Sequence, residues 1–250
     1  MGRADVVVVD GVTKYFKRRG QKTLRRLVIN AVRGNELSRP FTAVDDVSFT
    51  LQEGDSIGLM GLNGSGKSTL LKLISGVMAP DRGEVWTRGR IAGLIEVGAG
   101  FHPDLTGREN IYLNGAILGM SEPEIARKFD AIVDFSEMEQ FLDSDVRHYS
   151  SGMFMRLAFS VAIHTDCDIF LMDEMLAVGD QPFKRKCMKR IKGLKEDGHT
   201  MVYVSHSPRQ VLNLCEKGIV LEKGKAGFVG TAKEAVEYLH YSLEEDTDED

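Results

Sequence analysis

Eight consecutive residues carry the first recognisable chemistry: Gly61, Leu62, Asn63, Gly64, Ser65, Gly66, Lys67 and Ser68. Glycines at this spacing let backbone N–H groups close round a polyphosphate, and a helix opening directly after them adds its N-terminal partial positive charge. Lys67 reaches phosphate oxygens as a point charge, and Ser68, followed by Thr69, offers a hydroxyl oxygen to Mg²⁺. An acidic pair, Asp173 and Glu174, ends a later apolar run. Asp173 is placed to hold Mg²⁺ and its waters, and Glu174 to orient and deprotonate a water for in-line attack on a γ-phosphate. His206 follows another apolar run, where it can hydrogen-bond the γ-phosphate and help hold that water. His102, His148, His164, His199 and His240 occupy no comparable strand end and are read as structural.

These groups act together only if successive strands deliver them to one edge of a sheet. Residues 57–60 form an apolar run before the glycines, and 69–74 read as a helix after them, which is the strand–turn–helix context the motif needs. A glycine-rich turn with a solvent-facing lysine is the bland alternative, and the flanking elements argue against it. Residues 168–172 read as a buried strand ending at the acidic pair, and 201–205 as the strand ending at His206. Strands are also predicted at 6–9, 44–51, 84–86 and 91–97. Residues 106–135 read as helical, interrupted by Asn110, Asn114, Gly115 and Gly119, with a second start near Pro123. A helix opens at His148-Tyr149-Ser150-Ser151-Gly152 and turns Leu157, Ala158, Val161 and Ala162 inward. Another helix spans 182–195, and a hairpin spans 219–230. Thr231 and Glu234 form a capping box for a last amphipathic helix.

The 250 residues suffice for one large α/β domain, or one domain with an inserted lobe. A net charge of −5 argues against non-specific nucleic-acid binding. The cysteines, Cys167, Cys187 and Cys215, are odd in number and widely spaced, which suggests reduced thiols rather than a disulfide frame or zinc knuckle. No signal peptide is expected from Arg3 and Asp5 before four valines. No run approaches the ~18 apolar residues of a membrane span, so any spanning helices belong to another chain. Residues 17–40 form a basic insertion in which Leu24, Leu27, Val28 and Ala31 share a helical face. Such a helix can lie on an anionic membrane surface or dock on a partner, and equally can be a solvated linker helix. Residues 241–250 read as an acidic, disordered tail.

In this order the motifs resemble the ATP-binding subunit of an ABC transporter, over about residues 5–230. Tyr149-Ser150-Ser151-Gly152-Met153 is similar to that family's Leu-Ser-Gly-Gly-Gln signature, matching it at Ser150 and Gly152. The resemblance implies an α/β fold: a P-loop NTPase (RecA-like) core with an antiparallel β subdomain and an inserted α-helical subdomain at about 98–165, all in one domain over 1–240. It implies ATP and Mg²⁺, and a second copy of the chain whose signature caps the γ-phosphate held by the first. Asp180 sits at the family's D-loop aspartate, and His206 at its switch histidine. Phe16, or failing that Tyr15, is placed to stack on adenine. The family's usual Gln at the end of 91–97 is missing; Glu96 takes that place beside the metal.

The signature variant, the basic insertion, and the stretches Gly98-Ala99-Gly100-Phe101-His102-Pro103 and Thr106-Gly107-Arg108-Glu109-Asn110 are similar to ATPases of lipid-linked polysaccharide exporters. These serve O antigens, capsules, teichoic acids and galactan. The chain resembles the short members, which lack a C-terminal carbohydrate-binding domain. Implied partners are two integral-membrane permease subunits and a lipid-linked glycan reached through them, at the cytoplasmic face of the membrane, with no nucleic acid. The competing classes are a drug or lipid exporter and a soluble ABC ATPase. The latter usually has two ATP domains, a coiled coil or a zinc insertion, and none is found here.

Overall fold

A computed structural model describes residues 2–16, 40–94, 98–173 and 180–248. Three runs in which every residue is buried form its centre: β3 (Ser56–Met60), β6 (Ile169–Met172) and β7 (Thr200–Val204). Strands covered on both faces read as continuous apolar runs, and they lie parallel. With β5 (Ile91–Leu94), β8 (Lys217–Glu222) and β9 (Lys225–Thr231) they make a six-stranded sheet ordered β5-β6-β7-β3-β8-β9. All neighbours are parallel except the β8–β9 hairpin. A second, antiparallel sheet has β1 (Asp5–Phe16) between β2 (Phe41–Gln52) and β4 (Arg82–Thr87).

Side chains along the buried strands alternate between two cores. Ile57, Leu59, Ile169, Leu171, Val202 and Val204 face α1 (Lys67–Ile74) and the antiparallel sheet. Phe170, Met172, Met201 and Tyr203 face α4 (Ser151–Ile163), α5 (Gln181–Glu196), α6 (Pro208–Leu214) and α7 (Ala232–Asp248). A third cluster, including Ile111, Ile125, Ile132, Leu157 and Val161, lies among α2 (Gly107–Ile117), α3 (Glu122–Ser136) and α4. That makes α4 both a wall of the helical lobe and a cover for the main sheet.

Helix starts follow their local chemistry. Thr106 and Glu109 close a capping box on α2, and Thr231 and Glu234 bond reciprocally before α7. Ser150 caps α4 and Asp180 caps α5, each accepting a backbone N–H three residues on. Two expectations change. The first strand runs to Phe16 rather than Val9, because bulged pairing with β2 carries it past Gly11. Strand β5 is described only to Leu94, and residues 95–97 lie outside the described residues, as does 17–39 of the basic insertion. The acidic tail expected from residue 241 is helical backbone to Asp248, since α7 simply continues through Leu243, Glu244 and Glu245, all good helix formers.

Candidate functional site

Strands β6, β7 and β3 are adjacent and parallel, so their C-terminal ends reach the same edge. Asp173 directly follows β6, His206 lies just past β7, and the glycine loop follows β3. A cavity of about 270 Å³ results, lined by Asn63, Gly64, Gly66, Lys67, Ser68, Thr69, Asp173 and His206, together with Phe41, Ala43 and Val204.

The loop's path requires glycine at two points. Gly61 has φ 135°, and a Cβ there would lie 2.2 Å from the Leu221 carbonyl oxygen. Gly66 has φ 109°, and its Cβ would meet the Ala43 carbonyl oxygen at 2.3 Å. The Gly224 N–H donates to the Ser65 carbonyl at 3.0 Å, and the Asp45 N–H to the Gly224 carbonyl at 2.8 Å, which ties the loop to both sheets. Lys67 is buried, and its Nζ donates to the Gly61 and Leu62 carbonyls, both at 2.8 Å. This curls the loop round the ammonium. No side chain caps α1, so its first-turn N–H groups face the cavity as an anion site. The Ser65 hydroxyl, also buried, has no hydrogen-bond partner among the described residues. A polyphosphate fits this arrangement of donors.

Mg²⁺ fits too. Ser68 and Asp173 share the cavity as hard oxygen donors. Among the described residues no group of three or more His, Cys, Asp or Glu could hold a metal alone, so phosphate and water oxygens must complete the shell. The thiols stay protonated and inert at neutral pH: burial pushes Cys167, Cys187 and Cys215 each up to about 12.

A second set of expected residues lies elsewhere. Ser150 is exposed at the start of α4, with its Oγ accepting the Met153 N–H at 3.2 Å. Beside it Gly152 faces open space, where a Cβ would meet only the Ser150 Oγ at 3.9 Å. Asp180 accepts the Phe183 N–H at 3.3 Å and pairs with Arg156. None of Ser150, Gly152 and Asp180 lines the cavity. Glu96 and Glu174 lie outside the described residues.

Phe16 does not line the cavity, but its cross-strand partner Phe41 does. Directly opposed residues share a sheet face, so both rings, each more than a third exposed, stand on one side. Tyr15 faces the other way, with the Arg82 guanidinium 5.9 Å from its ring centroid. Phe41 is therefore the aromatic that sequence reasoning missed. Its only signal was the alternation Phe41, Ala43 at the start of β2.

Comparison with known proteins identifies the family. The ABC transporter family model matches residues 44–177. The ABC transporter protein AbcA of Aeromonas salmonicida is 43% identical over 244 residues, 98% of this chain and 79% of its own length. The O-antigen export system ATP-binding protein RfbB of Klebsiella pneumoniae is 42% identical over 222 residues, 88% of this chain and 90% of its own. The teichoic acids export ATP-binding protein TagH of Listeria monocytogenes serotype 4b is 42% identical over 197 residues, 79% of this chain and 58% of its own length. Among solved structures, an ATP-binding subunit of an ABC transporter superposes with TM-score 0.74 at 21% identity, over 95% of this chain and 99% of that one, which bears on the fold alone. The dimeric ATP-binding cassette MJ0796 bound to ADP and Pi gives 0.71 at 25% identity, over 90% and 98%. A family match across more than half of the sequence, and relatives above 40% identity along most of it, place this chain in the ABC transporter family.

Proposed function

We propose that this chain is the ATP-hydrolysing subunit of an exporter of lipid-linked polysaccharide, working as two copies beneath two integral-membrane permease subunits at the cytoplasmic face of the membrane. The observation that carries this is the likeness to RfbB, which extends along 88% of this chain and 90% of that one.

In this reading Gly61 and Ser65 shape the loop, and the N–H groups at Asn63, Gly64, Gly66 and Thr69 surround the β- and γ-phosphates. Lys67 exchanges its two carbonyl partners for phosphate oxygens. Ser68 and Asp173 hold Mg²⁺, with Glu96 beside them; the ion, when bound, neutralises phosphate charge. Glu174 takes the proton of the attacking water, and His206 holds that water's target, the γ-phosphate. Phe16 and Phe41 offer their rings to adenine. Ser150 and Gly152 of a second copy cap the γ-phosphate from the other side, with Asp180 bordering the seam. Because these residues lie outside their own chain's cavity, a complete site needs two chains.

Closing on ATP, and reopening once ADP and phosphate leave, moves the permease. A groove of about 230 Å³ lined by Val77, Ile91, Ile117 and Leu118 suits an apolar segment of that partner; Val77 is 76% and Ile117 56% exposed. The basic insertion at 17–39 meets the membrane surface or the substrate's pyrophosphate.

The deciding experiment is reconstitution of the chain with its permease in proteoliposomes carrying a fluorescent lipid-linked oligosaccharide. ATP-dependent movement of that lipid is expected. Movement of a phospholipid or drug in its place would favour the other exporter classes, and ATP-independent movement would overturn the assignment.

A further inference from the structure

Behind His206 lies a polar cluster that does not line the nucleotide cavity. Strand β7 is buried on both faces, and its side chains alternate. Val204 faces the cavity, and Tyr203 faces the side covered by helices. The Ser205 N–H donates to the Leu59 carbonyl at 3.3 Å, so the pairing with β3 runs one residue past the strand. Ser205 therefore falls on the Tyr203 side, and His206, the next residue, lines the cavity.

Both hydroxyls on the helix side reach one side chain. Tyr203 Oη donates to Gln210 Oε1 at 2.6 Å, and Ser205 Oγ donates to the same oxygen at 3.2 Å. Ser205 Oγ in turn accepts the Ser207 N–H at 3.0 Å. His206 is thus bracketed by one hydroxyl, whose direction is set by Gln210. The helix that carries Gln210 is itself fixed. In α6 the Gln210 and Val211 N–H groups donate to the Ser207 carbonyl at 3.0 and 3.2 Å. Val211 presses on Gly58 of β3, where a Cβ would lie 2.5 Å from its Cγ1. The strand that enters the glycine loop and the turn that carries His206 are therefore seated on the same helix.

Packing does not require these groups. Tyr203 and Ser205 are buried, and a buried hydroxyl needs a hydrogen-bond partner. Phenylalanine and alanine would fill nearly the same space with no partner to find. Gln210 is exposed, and holding its flexible side chain in one rotamer costs conformational entropy. A glutamine kept as the shared acceptor of two buried hydroxyls specifies a geometry, and that geometry ends at His206.

We propose that Gln210 is a positioning residue for His206, acting through the Ser205 hydroxyl, so that the imidazole keeps its place against the γ-phosphate. This rests on the reading of His206 given above. Glutamate can stand in for glutamine here, because a carboxylate accepts from two hydroxyls, and leucine cannot.

The experiment uses the full chain with its permease. It compares Gln210→Leu, Gln210→Glu, Ser205→Ala, the double variant Gln210→Leu/Ser205→Ala, His206→Ala, and Gln210→Leu in the His206→Ala background. Steady-state ATPase, affinity for a fluorescent ATP analogue and Tm are measured. Gln210→Leu and Ser205→Ala should each lower kcat about tenfold with analogue affinity unchanged, and the double variant should be no slower than the slower single. Gln210→Glu should keep the wild-type kcat. With His206 already replaced, Gln210→Leu should cost nothing further in kcat, whereas a merely structural role would slow turnover in both backgrounds. Where Gln210→Leu fails to fold, Ser205→Ala carries the same comparison. Wild-type kcat in Gln210→Leu, an equally slow Gln210→Glu, or the same loss with and without His206 would overturn the proposal. If His206→Ala itself turns over at the wild-type rate, the role given to His206 fails and this one with it. A slow His206→Ala beside unaffected Gln210 variants sinks the positioning role alone.

Discussion

Phe41 and Asp173 show how differently two residues of one cavity can be reached. Asp173 ends an apolar run, so its place could be read directly. Phe41 gains meaning only when β1 and β2 are paired and it stands opposite Phe16. Twenty-four residues of chain lie between Phe16 and Phe41, and no local pattern links them. Phe41→Ala removes the ring that lines the phosphate cavity. Aromatic stacking contributes about 0.5–1.5 kcal/mol beyond burial, so affinity for an ATP analogue should fall roughly two- to twelvefold, and Phe41→Trp should hold it. Titration of a fluorescent analogue against both variants checks this; unchanged affinity in Phe41→Ala would mean the base lies elsewhere. Glu174→Gln should bind the same analogue normally while turnover falls by about 10²–10⁴, the usual contribution of a general base. Near wild-type hydrolysis would remove Glu174 from that role.

Elements were legible wherever one face or both faces are buried against the rest of the fold. The buried runs at β3, β6 and β7 appear where expected, and so does the capping box before α7. Less visible was the second half of β1, where polar Thr13 and Lys14 interrupt the valine pattern and hydrogen bonding to two neighbouring strands decides the matter. The end of α7 was hidden by composition, since a run of acids suggests disorder although glutamate also propagates a helix already capped. Capping can be tested on α2. Thr106 accepts the Glu109 N–H and the Glu109 carboxylate accepts from Thr106. Thr106→Ala should lower stability by about 1 kcal/mol, read from urea unfolding. The Thr106 backbone N–H, and then its hydroxyl, hold the Glu109 carboxyl below its usual range. A depressed folded-state pKa gives stability that is present above the unfolded value and lost as pH falls through the folded one. The deficit of Thr106→Ala against wild type should therefore be largest near neutral pH and shrink below about pH 4. A deficit constant with pH would mean the carboxylate takes no part in the cap.

Over the whole molecule the decisive fact is a separation. The glycine loop, Asp173 and His206 share a cavity at the sheet edge, while Ser150 and Gly152 open α4 outside it. Among the described residues the two regions are joined through packed elements: α4 covers the sheet with Phe159 and Ala162 and walls the helical lobe with Leu157 and Val161. A side chain on that helix cannot fold back onto its own loop without unpacking one core or the other, which a close-packed interior resists. An exposed helix N-terminus bearing a serine hydroxyl is a ready anion site, and the anion it can meet with both cores intact is one held by another molecule. Slowing hydrolysis should therefore trap a dimer. The Glu174→Gln chain with Mg-ATP is expected to run at twice the monomer mass in light scattering, and to return to monomer with ADP. Ser150→Arg in the same background places bulk and charge at the seam, so the dimer should vanish while the fluorescent analogue still binds the loop. A dimer that survives Ser150→Arg would mean the seam is not built from this turn, and a chain that stays monomeric in ATP beside its permease would leave the Ser150 hydroxyl with no phosphate to meet.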